Sequence, residues 1–159
     1  MRIQVFTTMF LAGIIPFILF SNIIIKAYNS QIITQRTDEI QSYATVIANL
    51  VLSSGFLSGE SSDEVNRESE EIANIYQGRV MIIDQNLRII KDTYNVETGK
   101  TAISTEVIQC MNGSKDKYTN TIGDYIQLTS AIVDPSTEKV TGAVLISFST
   151  KSLAVLEDS

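Results

Sequence analysis

An apolar run opens the chain: no charged residue occurs from Ile3 to Ile25, between Arg2 and Lys26. As a helix, a run of that length covers roughly 34 Å at about 1.5 Å per residue, which exceeds a hydrocarbon core of about 30 Å. It outlasts the apolar region of a cleavable signal, about 7–15 residues. The segment Ser21-Asn22-Ile23-Ile24-Ile25-Lys26-Ala27 offers no small-x-small cleavage pattern. The reading is an uncleaved anchor over residues 1–27, kinked at Pro16, with membrane lipid as its partner. The short N-terminal flank places that terminus in the cytoplasm and the remainder outside, with a single crossing of the cell membrane.

After Lys26 the pattern becomes helical and half polar. Ile33, Ile40 and Ile47 recur every seven residues, and so do Arg36, Tyr43 and Leu50. The stripe widens after Tyr43, where Val46, Ile47, Leu50 and Val51 cover a broader face. A narrow seam suits a partner helix, and a broad one suits a sheet. A long helix is expected over 28–54, with Ile33, Ile40, Tyr43 and Ile47 as candidate residues of a homodimer helix. The other reading, a helix lying on its own domain throughout, stays open.

A core of mixed α and β structure is expected over 61–150. Ser61-Ser62-Asp63-Glu64 reads as a capping box opening a helix to about Gln77, closed by Gly78. The period then shifts to strands. Arg79–Asp84 and Leu87–Asp92 form a hairpin about Gln85-Asn86. Ser104 caps a short helix that ends at Asn112-Gly113. A short edge strand over Tyr118–Thr121 and two longer strands, about Asp124–Val133 and Lys139–Phe148, complete a mixed or antiparallel sheet of about five strands. Both faces of the final strands carry apolar residues, so both need covering: one by the long helix, the other by the loop from Thr93 with its short helix. The class is α+β.

Charge and composition narrow the function. Of 12 basic and 18 acidic residues, only Arg2 and Lys26 flank the anchor, so the rest holds 10 and 18, a net of −8. An acidic domain is a poor match to nucleic acid. The chain has no histidine, which removes Ser-His-Asp and Cys-His catalysis and the common zinc sites. Carboxylate-only catalysis, as in glycosidases, is not excluded by composition, and no metal site is expected. The single cysteine, Cys110, shares a helix side with Val107 and Met111 and reads as a core residue. The carboxylates Asp63, Glu64, Glu68, Glu70 and Glu71 read as a solvated helix face. Arg79, Tyr125 and Gln127 are polar or amphipathic residues on strands covered on both sides, where buried polar groups need partners. A ligand pocket and an ordinary surface edge both satisfy that need.

Taken together, the apolar anchor, the long exposed helix, "RVMIIDQNLRIIKDTYNVETGK", "STEVIQCMNG" and the closing "VTGAVLISFS" resemble the extracytoplasmic sensor region of bacterial membrane-bound two-component sensor histidine kinases. Those regions are single PAS-like or Cache-type folds, and chemoreceptors share them. The resemblance implies a sensor domain over 28–159, with residues 151–159 leading to a second membrane helix. It implies that catalysis lies in a cytoplasmic kinase core using ATP and Mg outside these residues, with no enzyme activity and no cofactor within them, and a cognate response regulator as partner. It implies a small-molecule, ion or peptide signal. The loop at Asp92 and Tyr94 falls where such a pocket opens, so Arg79, Asp92, Tyr94, Tyr125 and Gln127 are the candidate ligand-binding residues. A turn in which Asp92 bonds the backbone and Tyr94 packs on the core is the competing reading.

Overall fold

The computed structural model describes residues 2–113 and 117–150. The expected exit segment 151–159 lies outside them. The chain divides into two units, Met1–Arg36 and Thr37–Ser159. One helix, α1 (Arg2–Ser53), carries residues of both. In the first unit it presents Phe17, Phe20 and Ile23 to the surroundings. Among the described residues it is the one helix long and apolar enough to cross a membrane.

The second unit is an α+β fold. It holds the end of α1, then α2 (Asp63–Ile75), β1 (Arg79–Asp84), β2 (Ile89–Asp92), α3 (Thr105–Met111), β3 (Lys117–Ile122), β4 (Tyr125–Val133) and β5 (Val140–Ser149). The five strands form one antiparallel sheet in the order β2-β1-β5-β4-β3. The first and last long strands are therefore neighbours at its centre, with Val80 opposite Ile146 and Ile82 opposite Val144.

Alternation along β1 and β5 sends their side chains to two cores. Val80, Ile82, Val144, Ile146 and Phe148 face one way, with Ile126, Leu128 and Ile132 of β4. They pack on Ile40, Ala44, Ile47 and Val51 of α1 and on Val65, Ile72 and Tyr76 at α2. Met81, Ile83 and Leu145 face the other way and meet Ile89 and Val107, with Leu87, Ala102 and Met111 at the rim. The two covers anticipated for the sheet are both present. Cys110 is fully buried, as its helical spacing indicated.

The seam on α1 needs correction. Ile40 and Ile47 are 0% exposed inside their own domain, and Tyr43 packs there too, its ring 5.9 Å from that of Tyr76. Three of the four positions assigned to a second copy are thus occupied by the sheet and α2. Ile33, at 37% exposure, is the one left outward. The stripe was broad enough for a sheet from Ile40 onward, three residues earlier than the sequence indicated.

Helix α2 also differs at its ends. Its N-cap is Ser62, whose hydroxyl accepts from Val65 N at 3.3 Å, so the box expected at Ser61–Glu64 is displaced by one residue. Its C-terminus is a Schellman turn in which Gly78 N donates to Ala73 O and Gln77 N to Asn74 O. The left-handed position belongs to Gln77, φ 46°, rather than to glycine. Gly78 has a different reason to be small: a Cβ there would collide with Ser147 O of β5. We expect Gly78→Ala to cost about 1–3 kcal/mol through overpacking against backbone, read as a shift in the urea midpoint. An unchanged midpoint would contradict the close approach.

Candidate functional site

Strand β2 ends at Asp92, and the chain turns sharply there. The Asp92 carboxylate is fully buried and takes five hydrogen bonds. Arg79 donates two of them, Nε to Oδ1 at 2.8 Å and Nη2 to Oδ2 at 2.7 Å. The backbone supplies the rest: Tyr94 N to Oδ1 at 3.0 Å, and Val96 N and Glu97 N to Oδ2 at 2.9 Å each. The planar guanidinium matches the carboxylate edge on, which lysine does not do. Arg79 Nη2 also reaches Glu97 Oε2 at 3.1 Å, and its guanidinium lies 5.5 Å from the centre of the Tyr94 ring. Thr93 completes the knot, its hydroxyl accepting from Val80 N at 3.0 Å.

The hydrogen bonds from Arg79 hold the Asp92 carboxyl far below the usual carboxylate range. Burial opposes this, and the amides of Glu97, Tyr94 and Val96 reinforce it. The Arg79 guanidinium is correspondingly pushed up, chiefly by its bonds to Asp92. Because the folded value for Asp92 is depressed, its stabilising contribution is complete above the unfolded value of about 3.9 and is lost as pH falls through the folded one. We expect the urea midpoint to fall as pH drops below about 4. The fall should be smaller in Asp92→Asn, which has no proton to take up; equal acid sensitivity in the two chains would contradict the assignment.

These bonds tie Asp92 and Arg79 into the loop. Asp92 and Arg79 satisfy each other and the turn, so neither is a free recognition group. The backbone-turn reading holds for Asp92. Tyr94 differs from it, being 56% exposed rather than packed on the core. Its ring lines a surface cleft of about 610 Å³ with Glu70, Ala73, Asn74, Gln77, Gly78, Thr93 and Asn95. Gln77 and Asn95, φ 46° and 55°, both hold the left-handed conformation there. Glu70 is engaged by Lys91 at 3.0 Å, and no other carboxylate of α2 lines the cleft. Among the described residues no group of three or more acidic or cysteine side chains is arranged for a metal.

Tyr125 and Gln127 are absent from that cleft. Gln127 pairs with Ser147 of β5, and Ser147 pairs in turn with Arg79, so these three form one row across the sheet. Tyr125 lies at the start of β4, 52% exposed. The structure brings Arg79, Asp92 and Tyr94 together. The sequence reading missed Asn74 and Gln77, which sit beyond the last buried position of α2 and carry no periodic signal.

The fold is similar to solved sensor domains. Over 76% of this chain and 52% of the other it is similar to the sensor domain of the histidine kinase DctB from V. cholerae, at 13% identity and a TM-score of 0.48. The E. coli DcuS sensor domain is matched over 74% of this chain and 99% of that one, at 14% identity and a TM-score of 0.41. An extracellular ligand binding receptor from Desulfohalobium retbaense is matched over 56% of this chain, at 12% identity and a TM-score of 0.41. This chain spans 15% of that receptor's length. No family model and no curated relative matches. At these identities and scores the likeness assigns no ligand or activity to this chain.

Proposed function

We propose that this chain is the signal-sensing input region of a membrane-bound two-component sensor histidine kinase. Residues 1–27 would anchor it, and 28–159 would form the extracytoplasmic sensor domain. One observation carries the reading. The helix that holds an uncharged stretch of membrane-spanning length also supplies Ile40, Ala44, Ile47 and Val51 to the core of a five-stranded domain. A signal that favours one packing of that core shifts the population of α1 arrangements, because α1 is part of what must repack. The cleft beside Tyr94 is the proposed signal site. Its loop is fixed from below by Asp92 while the ring and the carboxamides of Asn74, Gln77 and Asn95 face outward. The kinase core, its ATP and Mg, and the response regulator belong to the parent protein in this proposal, and homodimerisation would involve α1 at Ile33.

The parent protein, in native membranes, supplies the test. Incubation with γ-labelled ATP and Mg should give an acid-labile, base-stable phosphohistidine. Tyr94→Ala should abolish any change in its level produced by a panel of amino acids, carboxylates, sugars and metal ions. Absence of phosphohistidine overturns the kinase assignment in favour of a chemoreceptor or other output, and an unaltered response in Tyr94→Ala overturns the cleft.

A further inference from the structure

A second cleft, larger than that beside Tyr94, opens where α1 ends. Its volume is about 700 Å³, within the range of small-molecule sites. Three separate stretches of chain form it: Asn49–Ser58 at the end of α1, the β1–β2 turn at Asp84–Asn86, and the β4–β5 turn at Asp134-Pro135, with Thr141 between them. Val51, Leu52, Leu57 and Pro135 supply its apolar surface.

The charged lining is of one sign, beside neutral polar residues such as Asn49, Gln85 and Thr141. Asp84 and Asp134 are both at the cleft, and no lysine or arginine lines it. Arg88 and Lys139, the nearest basic residues along the chain, are not among its walls. Asp84 Oδ1 accepts from Asn86 N at 2.8 Å and Arg88 N at 2.9 Å. That leaves Oδ2 without a protein partner among the described residues. Asp134 is held by Ser136 and Thr137, so its position is fixed, and those bonds keep it ionised by lowering its pKa. Helix α1 points its C-terminal end into the same space. That end carries partial negative charge, and its last turn contains no basic residue to neutralise it. Two carboxylates and a helix C-terminus beside an apolar wall call for a ligand that is positive at one end and apolar at the other.

We infer that the cleft between the end of α1 and the turns at Asp84 and Asp134 binds an organic cation, an ammonium group carried on an apolar body. The carboxylates and the α1 terminus would take the ammonium, and Val51, Leu52 and Leu57 the hydrocarbon. This site is separate from the cleft beside Tyr94, so its success or failure leaves the signal site proposed there unaffected. A ligand seated here would touch the last turn of α1 directly.

The test uses the full chain in lipid nanodiscs with labelled Leu and Val methyls and three probes matched in size: phenethylammonium, 2-phenylethanol and 3-phenylpropionate. The ammonium should shift the methyl signals of Val51, Leu52 and Leu57 saturably, bind about tenfold more tightly than the alcohol, and leave the Tyr94 cleft unperturbed. The carboxylate should not shift them. Asp84→Asn with Asp134→Asn keeps turn acceptors but removes both charges, and should bring the ammonium down to the affinity of the alcohol. Equal binding of ammonium and alcohol to the unmodified chain overturns the proposal, since it leaves an apolar hollow only. So does the absence of any saturable shift, and so does calcium ion alone shifting the same methyls more tightly than phenethylammonium.

Discussion

Asp92→Ala should destabilise the domain by about 3–5 kcal/mol, the loss typical of breaking a buried, hydrogen-bonded charge pair from one side. Two effects contribute. The Arg79 side chain, 21% exposed, keeps only the half-exposed Glu97 as an anionic partner. The amides of Tyr94, Val96 and Glu97 lose their acceptor, and orphaned donors in a part-buried turn cost more than the bonds they had made. Glu97→Ala removes only the 3.1 Å outer contact and should cost no more than about 1 kcal/mol. Urea unfolding of the full chain, followed by tyrosine fluorescence, separates the two. A loss under about 1 kcal/mol for Asp92→Ala would show that the knot does not hold the loop.

The second large effect lies on α1. Ile47→Ala should cost about 2–5 kcal/mol, because the side chain is 0% exposed and packed between the sheet and α2. Ile33→Ala, fourteen residues earlier on the same heptad register, should change monomer stability by about 0.5 kcal/mol or less. If the seam were a dimer interface from end to end, the two substitutions would instead weaken self-association alike, measurable by sedimentation in detergent. The pair therefore distinguishes a helix used by its own domain from one used by a second copy.

Much of this architecture was legible in the residues. The long apolar helix, the order of elements and the coverage of both sheet faces follow from where the hydrophobic period is absent, helical or twofold. The three-residue offset on α1 was not legible, because a heptad seam and a sheet-facing stripe coincide at Ile40 and Ile47. Nor was the left-handed Gln77, since glycine is the usual occupant and Gly78 stands beside it. Gly78 answers instead to the approach of Ser147 O, a contact between residues 69 positions apart that no local pattern records. At the site, Asp92 and Arg79 were marked by type and place, but their bonds to each other and to the loop were not. Those bonds depend on pairing across the β1–β2 hairpin and on three amides of the following loop. The cleft at Asp84 and Asp134 lay out of reach for the same reason: its walls come from the end of α1 and two turns brought together by the strand order β2-β1-β5-β4.

Whether the domain that carries these sites stands outside a membrane, tethered by α1, is best settled by labelling at one position. Ile103 is 84% exposed in the loop before α3, and the native Cys110 is buried. In intact spheroplasts making the Ile103→Cys chain, a membrane-impermeant maleimide should label it without permeabilisation. The labelled protein should stay in the membrane fraction through an alkaline wash at the mass of the uncleaved chain. Labelling only after lysis, or release of a shortened soluble product, would contradict the account.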